Sequence, residues 1–158
     1  MVLPIKRFRS VLTNVKNTIA GLASFQTLTG AADATAAKAF IHDFAADDTG
    51  TQDPPRIILD IDGYTGTLHG GRFNGPCQVL AMLQFEIPAA NAATEADQAG
   101  WFWDQVEDWF DELEADSNGG GQLSLENIEM SLPPGLIEPD ENSGRIVWLT
   151  QFRLAVQT

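Results

Sequence analysis

The spacing of apolar residues changes along this chain, and that change constrains the fold more than any other feature. Apolar residues first recur every three or four positions, which predicts an amphipathic helix over residues 5–22. The same spacing returns over residues 94–115, where Thr94 followed by Asp97 resembles a helix capping box. Elsewhere, alternating apolar residues predict four strands. These strands contain Ile57, Leu59 and Ile61; Val79, Ala81, Leu83, Phe85 and Ile87; Ile128, Met130 and Leu132; and Ile146, Trp148, Phe152, Leu154 and Val156.

The order of these elements predicts the fold class. Two pairs of consecutive strands flank the second helix, which favours an α+β fold: a mainly antiparallel sheet of about four strands with helices packed on one face. We expect one domain over residues 1–158, with an N-terminal helical part (1–46) and a sheet-plus-helix body (55–158). The last strand is apolar, so we expect it to be central or to be an edge that another subunit covers.

Three further segments have local signals. Asp33 is a candidate N-cap for a short alanine-rich helix. Residues 63–76 and 133–144 contain clustered glycine and proline and are predicted as loops. The short helix would place four residues on one face, namely Ala37, Phe40, Ile41 and Phe44.

Charge is distributed unevenly along the chain. The net charge is −13, yet residues 1–32 contain four basic residues and no acidic one, so the other 126 residues carry five basic and 22 acidic groups. This balance argues against a general nucleic-acid-binding protein, because binding phosphates requires Lys and Arg. A basic end on an acidic body predicts a contact between copies or with an acidic partner, and a solvated helix face is the alternative. The candidate basic interface residues are Lys6, Arg7, Arg9 and Arg72.

Aromatic residues are dense in the second long helix. Phe102, Trp109 and Phe110 fit its apolar stripe, whereas Trp101 and Trp103 fall away from it. Exposed tryptophan is enriched at protein interfaces, so we predict that Trp101 and Trp103 also belong to an interface. The alternative is that an N-terminal helix covers them.

One short motif resembles a catalytic motif. The strand that ends in Asp60-Ile61-Asp62-Gly63 is similar to the nucleophile strand of haloacid-dehalogenase-type phosphotransferases, in which Mg²⁺ bridges the first Asp to the phosphate. Here Tyr64 replaces the expected Thr, and no lysine follows. The alternative is that Asp60 and Asp62 lie on the solvent face of a strand.

The remaining reactive side chains form no recognisable catalytic or metal motif. Cys77 is the only cysteine, and neither His42, on the predicted short helix, nor His69, in a glycine-rich loop, has a nucleophile in a local motif. The acids of residues 104–116 radiate around one helix instead of converging on a cation. We therefore assign no catalytic, cofactor-binding or metal-binding residue and expect that the chain is not an enzyme. No apolar run is long enough to cross a bilayer.

Across most of its length, the chain resembles tail terminator and head–tail joining proteins of tailed phages. The resemblance lies in the order of the elements: an N-terminal helix (5–22), a strand (56–62), a long-looped hairpin into residues 77–87, a Trp-rich helix (94–115) and a closing hairpin (126–157). The alanine-rich segment 33–46 departs from that plan.

This resemblance implies a function. It implies a virion protein of the tail or neck, assembled in the host cytoplasm as a ring, commonly of six copies. Such a ring caps the tail tube and docks it to the head connector or stopper protein, without a cofactor or a membrane. Genome DNA would pass through an acidic lumen without specific binding. The alternatives are another neck component, such as a connector or stopper subunit, and a Mg²⁺-dependent phosphotransferase that uses Asp60 and Asp62.

Overall fold

The computed structural model describes residues 7–43, 54–118, 123–137 and 144–157. The fold is α+β, as the sequence predicts. The helices are α1 (Arg7–Gly21), α2 (Ala23–Thr29), α3 (Ala34–Ala37) and α4 (Glu95–Asn118), with short 3₁₀ turns at Lys38–Phe40 and Ala89–Asn91. The strands are β1 (Ile41–Asp43), β2 (Arg56–Tyr64), β3 (Thr67–His69), β4 (Arg72–Asn74), β5 (Pro76–Glu86), β6 (Leu125–Ile137) and β7 (Val147–Gln157).

Five of the described strands form one sheet in the order β1-β2-β5-β7-β6. The four longer strands pair with one another in antiparallel fashion, and together they are the predicted sheet of about four strands. The short β1 adds a fifth strand, parallel to β2. The C-terminal strand β7 lies between β5 and β6, so it is central, the first of the two positions expected for it.

The core lies between one face of the sheet and helices α1, α2 and α4. Alternate residues of β5 and β7 are buried against the helices, and each large apolar side chain buried in this way contributes about 1.5–3 kcal/mol. From α4, Phe102 packs against Phe85 of β5 and Trp148 of β7, with ring centroids 5.5 and 5.9 Å apart. On the opposite face of the sheet, residues such as Ile58 and Met82 are only partly buried.

The N-terminal region contains one helix more than expected before Asp33. Of the apolar stripe of α1, Val11, Leu12, Val15 and Ile19 are buried whereas Phe8 is exposed, and the helix ends at Gly21, close to its predicted end. A second short helix, α2, follows directly and ends at Gly30, whose φ of 70° turns the chain so that the next N–H, that of Ala31, donates a hydrogen bond of 3.0 Å to the carbonyl of Gln26. Phe25 is the residue of α2 that enters the core.

The prediction of an alanine-rich helix through Phe44 is wrong at its C-terminal end. Asp33 is its N-cap, as expected, because its Oδ1 accepts a hydrogen bond of 2.8 Å from the N–H of Ala36. The helix nevertheless has only four residues, and Ile41 belongs to β1, where it pairs with Ile57 and is buried. Burial in the sheet favours the β-branched Ile41 as a strand residue. Phe44 lies outside the described residues.

Two predicted loops contain strand. Residues 63–76 include a two-stranded hairpin, β3–β4, which turns at Gly70 and Gly71. Both glycines have positive φ (56° and 79°), which is typical of the type I′ turn that suits a two-residue hairpin. Residues 133–137 belong to β6, which is longer than its apolar pattern predicts. Residues 138–143 of the second predicted loop lie outside the described residues.

The long strand β6 is an edge of the described sheet. Its pairing with β7 shifts register at three places, between Leu125 and Asn127, between Met130 and Leu132, and between Leu132 and Gly135. Pro133 and Pro134 also lie within it. Bulges and prolines are typical of edge strands that do not pair with another chain.

Candidate functional site

The β3–β4 hairpin is an arm joined to the sheet through glycine; we call residues 65–75 the arm. A Cβ atom on Gly75 would lie 1.8 Å from the carbonyl oxygen of Thr65, and one on Gly66 would lie 2.7 Å from the ring of Tyr64. The N–H of Thr65 also donates a hydrogen bond of 3.3 Å to the carbonyl of Pro76. The two backbone segments at the base of the arm therefore approach each other so closely that only glycine fits.

The arm exposes apolar side chains. Every residue of β3 and β4 is exposed, and Leu68 and Phe73 are cross-strand partners on the same side of the hairpin. Their exposed fractions are 58% and 56%. We did not predict these two residues as interface residues. Gly70-Gly71 between two short segments containing apolar residues is the signal that could have revealed the hairpin.

The first turn of α1 lies against the base of the arm. Arg7 Nη1 donates a hydrogen bond of 2.7 Å to Tyr64 Oη, and its guanidinium carbon lies 5.7 Å from the Tyr64 ring centroid. Phe8 packs edge-on against Tyr64 and remains 43% exposed, and Arg9 is exposed. We call Arg7, Phe8, Arg9 and the arm together the arm end. Lys6, also predicted here, lies outside the described residues.

The arm end is basic as well as apolar. Residues 7–21 and 64–76 contain no acidic side chain. Arg72, a predicted interface residue, is exposed on β4 beside Phe73. Arg7 and Arg9 therefore lie at the base of the arm and Arg72 lies beside the turn at its tip, together with exposed apolar residues.

Helix α4 has the opposite charge. It contains nine carboxylate residues and no Lys or Arg. Of its two predicted interface tryptophans, Trp103 is 44% exposed. Trp101 is partly buried and packs against the core, so the expectation of exposure holds mainly for Trp103.

The side of α4 that carries Trp103 faces β6. Trp103 and Phe110 are seven residues apart, which places them about 20° apart around a helix. Phe110 packs edge-on against Phe152 of β7 at 4.6 Å, and with Leu125 and Ile128 it lines a groove of about 320 Å³ between α4 and β6. Trp103 therefore lies on the same flank, nearer the N-terminus of α4.

An exposed leucine of β6 lies at the same level of the sheet. Leu136 pairs with Trp148, which packs against Phe102, and it is 46% exposed. Exposed acids on this side of α4 include Glu107 and Glu114. We call the surface formed by Trp103, Glu107, Phe110, Glu114, Ile128 and Leu136 the α4–β6 flank.

The arm end and the α4–β6 flank are far apart. The arm leaves the sheet next to Cys77, whereas Trp103 follows Phe102, which packs on Phe85. Phe85 follows Cys77 by eight positions along β5, a distance of about 26 Å in a strand. The two surfaces also lie toward different edges of the sheet. Helix α1 packs on β1 and β2, at one edge, and α4 packs beside β6, at the other. Of the predicted interface residues that the structure describes, Arg7, Arg9 and Arg72 belong to the arm end and Trp103 belongs to the α4–β6 flank, whereas Trp101 belongs to neither surface.

Asp60 and Asp62 are exposed, and both make contacts within the sheet. Asp60 Oδ1 accepts a hydrogen bond of 2.8 Å from the N–H of Ile61. Asp62 lies in a bulge and accepts a hydrogen bond of 2.5 Å from Arg153 Nε, and this bond, with the charge of Asp62, raises the pKa of Arg153. Their strand, β2, is antiparallel to β5, whereas the phosphotransferase resemblance implies a parallel βα repeat.

The other reactive side chains, Cys77, His42 and His69, each lie in a strand. Cys77 is fully buried in β5, and burial raises the pKa of its thiol, which disfavours the thiolate. His42 lies in β1, so its predicted position on a helix is wrong. His69 is exposed on the arm. Within the described ranges, no group of three or more His, Cys, Asp or Glu residues is arranged to hold a metal ion.

No helix in the described part of the chain is both long enough and apolar enough to cross a membrane. In comparisons with known proteins, the sequence matches no protein-family model and no curated protein.

Proposed function

We propose that this chain is a structural virion protein. In this proposal, copies form a ring at the head-proximal end of a phage tail, where the ring terminates the tail tube and joins it to the head connector. The observation that supports it most directly is the arm, which exposes Leu68 and Phe73 to water. Exposed apolar surface of this kind marks sites of protein–protein contact, because a lone chain gains no burial from it.

The positions of the two candidate surfaces support a ring over a two-fold dimer. A two-fold contact uses the same surface on both copies, whereas a contact between two different surfaces repeats from copy to copy and closes into a ring when the rotation between neighbours divides a full turn. Here a basic, apolar arm end and an acidic flank with exposed Trp103 lie on different sides of one chain.

The acidity of the chain supports a position around passing DNA. Helix α4 exposes carboxylates such as Asp104, Asp108 and Asp111, and the chain as a whole has a net charge of −13. A lumen lined with carboxylates repels DNA phosphates, so that the genome moves through without binding.

The test is to mix the purified chain with tubes of the tail-tube protein encoded in the same genome. Electron microscopy should reveal ring particles in the chain alone and rings at tube ends in the mixture. Genes for portal, major tail and tape-measure proteins should lie beside the gene for this chain. A monodisperse monomer at high concentration that forms no rings and binds no tubes would contradict the proposal. Rings that bind a portal but no tube would instead indicate a connector or stopper subunit.

A further inference from the structure

We infer that the arm end of one copy docks on the α4–β6 flank of the next copy. The inference rests on the proposed self-assembly and identifies the two surfaces that would carry it. On the arm end the principal residues are Leu68, Phe73 and Arg72, and on the flank they are Trp103 and Glu107.

The apolar parts of the two surfaces complement each other. The arm presents Leu68 and Phe73 side by side, more than half exposed, and the flank presents Trp103 at 44%. The backbone around Trp103 is open, since a Cβ atom added to Gly100, one turn before it, would meet nothing within 4 Å. An aliphatic and an aromatic side chain can therefore reach the indole ring, and burying such side chains favours association.

The charges of the two surfaces are opposite. The arm end combines Arg7, Arg9 and Arg72 with segments that contain no acid, and α4 contains nine acids and no base. On the flank, Glu107 follows Trp103 by four residues, so both side chains lie on the same side of the helix. An arginine that approaches Trp103 can pair with Glu107 or stack on the indole ring. Complementary charge of this kind also opposes contacts between two arm ends or two flanks.

The contact has to join different copies. About 26 Å of β5 separates the base of the arm from the level of Trp103, and on the shared face of the sheet α1 packs on β1 and β2 whereas α4 packs beside β6. The edge of β6 beside the flank is unsuited to strand pairing, because three register shifts and two prolines interrupt it. Docking therefore proceeds through side chains, and each copy offers one arm end and one flank to two different neighbours.

Single-surface variants test each half of the contact. The arm variant carries Leu68→Ser and Phe73→Ser, and the flank variant carries Trp103→Ser. The control variant is Leu132→Ser, which removes a comparably exposed apolar residue (39%) from another surface. We expect the arm and flank variants to associate roughly tenfold or more weakly than wild type in light scattering or mass photometry. The control should assemble as wild type does, and all three should keep wild-type circular dichroism.

Mixing distinguishes a contact between unlike surfaces from one between like surfaces. The arm variant retains an intact flank, and the flank variant retains an intact arm. We expect each variant alone to be monomeric and an equal mixture to form dimers that grow no further. Normal assembly of the flank variant alone would overturn the inference, as would absence of dimers in the mixture.

Charge reversal tests the ionic part. Arg72→Glu should weaken assembly, and Glu107→Arg in the same chain should restore it at least in part. Asp108→Arg is the matched control, since Asp108 is exposed on a side of α4 about 100° from Glu107. Equal restoration by both substitutions would indicate net charge alone and would overturn the specific pairing.

The outcomes also separate this inference from the proposed function. If wild-type chains form rings and both single-surface variants form them equally well, the interface is wrong and the ring proposal stands. If arm-dependent oligomers form but bind no tail tubes, the interface stands and the tail-end function is wrong. If wild-type chains remain monomeric at high concentration, both are wrong.

Discussion

The carboxylate of Glu112 on α4 accepts hydrogen bonds from the backbone N–H and from the hydroxyl of Ser24, in the first turn of α2. The N–H lies 3.0 and 3.1 Å from the two carboxylate oxygens, and the hydroxyl oxygen lies 2.5 Å from one of them. The N-cap residue of α2, Leu22, supplies no side-chain cap, so a different helix satisfies this terminus. The negative charge also suits the positive end of the α2 dipole.

Glu112→Ala should therefore destabilise the fold. We expect the free energy of unfolding to fall by about 1.5–3 kcal/mol, because charged hydrogen bonds to a partly buried group are lost. Urea denaturation followed by circular dichroism measures this change. Asp111→Ala, at the exposed neighbouring position, is the control and should change stability by less than about 0.5 kcal/mol. Equal losses of stability in the two variants would show that Glu112 contributes no more than an exposed acidic residue such as Asp111.

Gly75→Ala should disturb the base of the arm. The added Cβ atom would lie 1.8 Å from the Thr65 carbonyl oxygen, so the backbone has to move, at a cost of about 1–3 kcal/mol. Gly63→Ala is the matched control, because its nearest neighbouring atom would be 4.0 Å away. Thermal unfolding and the assembly measurement should both separate the two variants. Wild-type stability in the Gly75→Ala variant would contradict the close approach of the backbone at Gly75 to the backbone at Thr65.

Trp148 and Trp109 should respond differently to replacement by phenylalanine. Trp148 Nε1 donates a hydrogen bond of 3.2 Å to Gln98 Oε1, whereas the buried Trp109 Nε1 has no hydrogen-bond partner among the described residues. Trp148→Phe leaves a buried amide oxygen unpaired, which costs about 1–3 kcal/mol beyond the loss of packing. Trp109→Phe loses packing alone. We expect the first variant to be the less stable in urea denaturation, and the reverse order would contradict this account.

Cys77 should make the fold sensitive to alkaline pH. Burial raises the pKa of its thiol above the ordinary value of 9.0, so the unfolded chain loses this proton at a lower pH than the folded chain. Its contribution is complete below the unfolded pKa and is lost as the pH rises through the folded pKa. Stability should therefore fall more steeply above pH 9.0 in wild type than in Cys77→Ala. If the free energy of unfolding falls equally with pH in wild type and in Cys77→Ala, this role of Cys77 is contradicted.

The same burial predicts thiol reactivity. A thiol reagent such as dithionitrobenzoate should modify Cys77 only after unfolding, because the thiolate is the reactive form and the side chain is inaccessible. Rapid modification of the native chain at neutral pH would show that β5 opens at this position.

Periodicity predicted the parts of the fold in which one face of an element is buried. The alternating residues from Val79 to Phe85 are all buried, because β5 carries helices on one face. The cap at Thr94 was also predictable, since its Oγ1 accepts a hydrogen bond of 3.1 Å from the N–H of Asp97. The position of Ile41 in a strand was not predictable. The alanines before it favour a helix and give no sign of a parallel partner at Ile57.

The candidate site was predictable only in part. Charge alone identified Arg7, Arg9 and Arg72, and helix phase identified Trp103 as off the apolar stripe. Leu68 and Phe73 were missed, since a three-residue strand is too short for its alternation to stand out. That Trp103 faces β6 depends on how the sheet is ordered, and no local pattern encodes that order.

The interrupted edge of β6 has a consequence for how the protein behaves at high concentration. An unbroken edge of thirteen residues would be a template on which further strands add without limit, as in amyloid. Three register shifts and the Pro133-Pro134 pair deny an incoming strand continuous hydrogen bonding. We therefore expect concentrated solutions to yield assemblies of defined size that do not bind amyloid dyes and that dissociate on dilution.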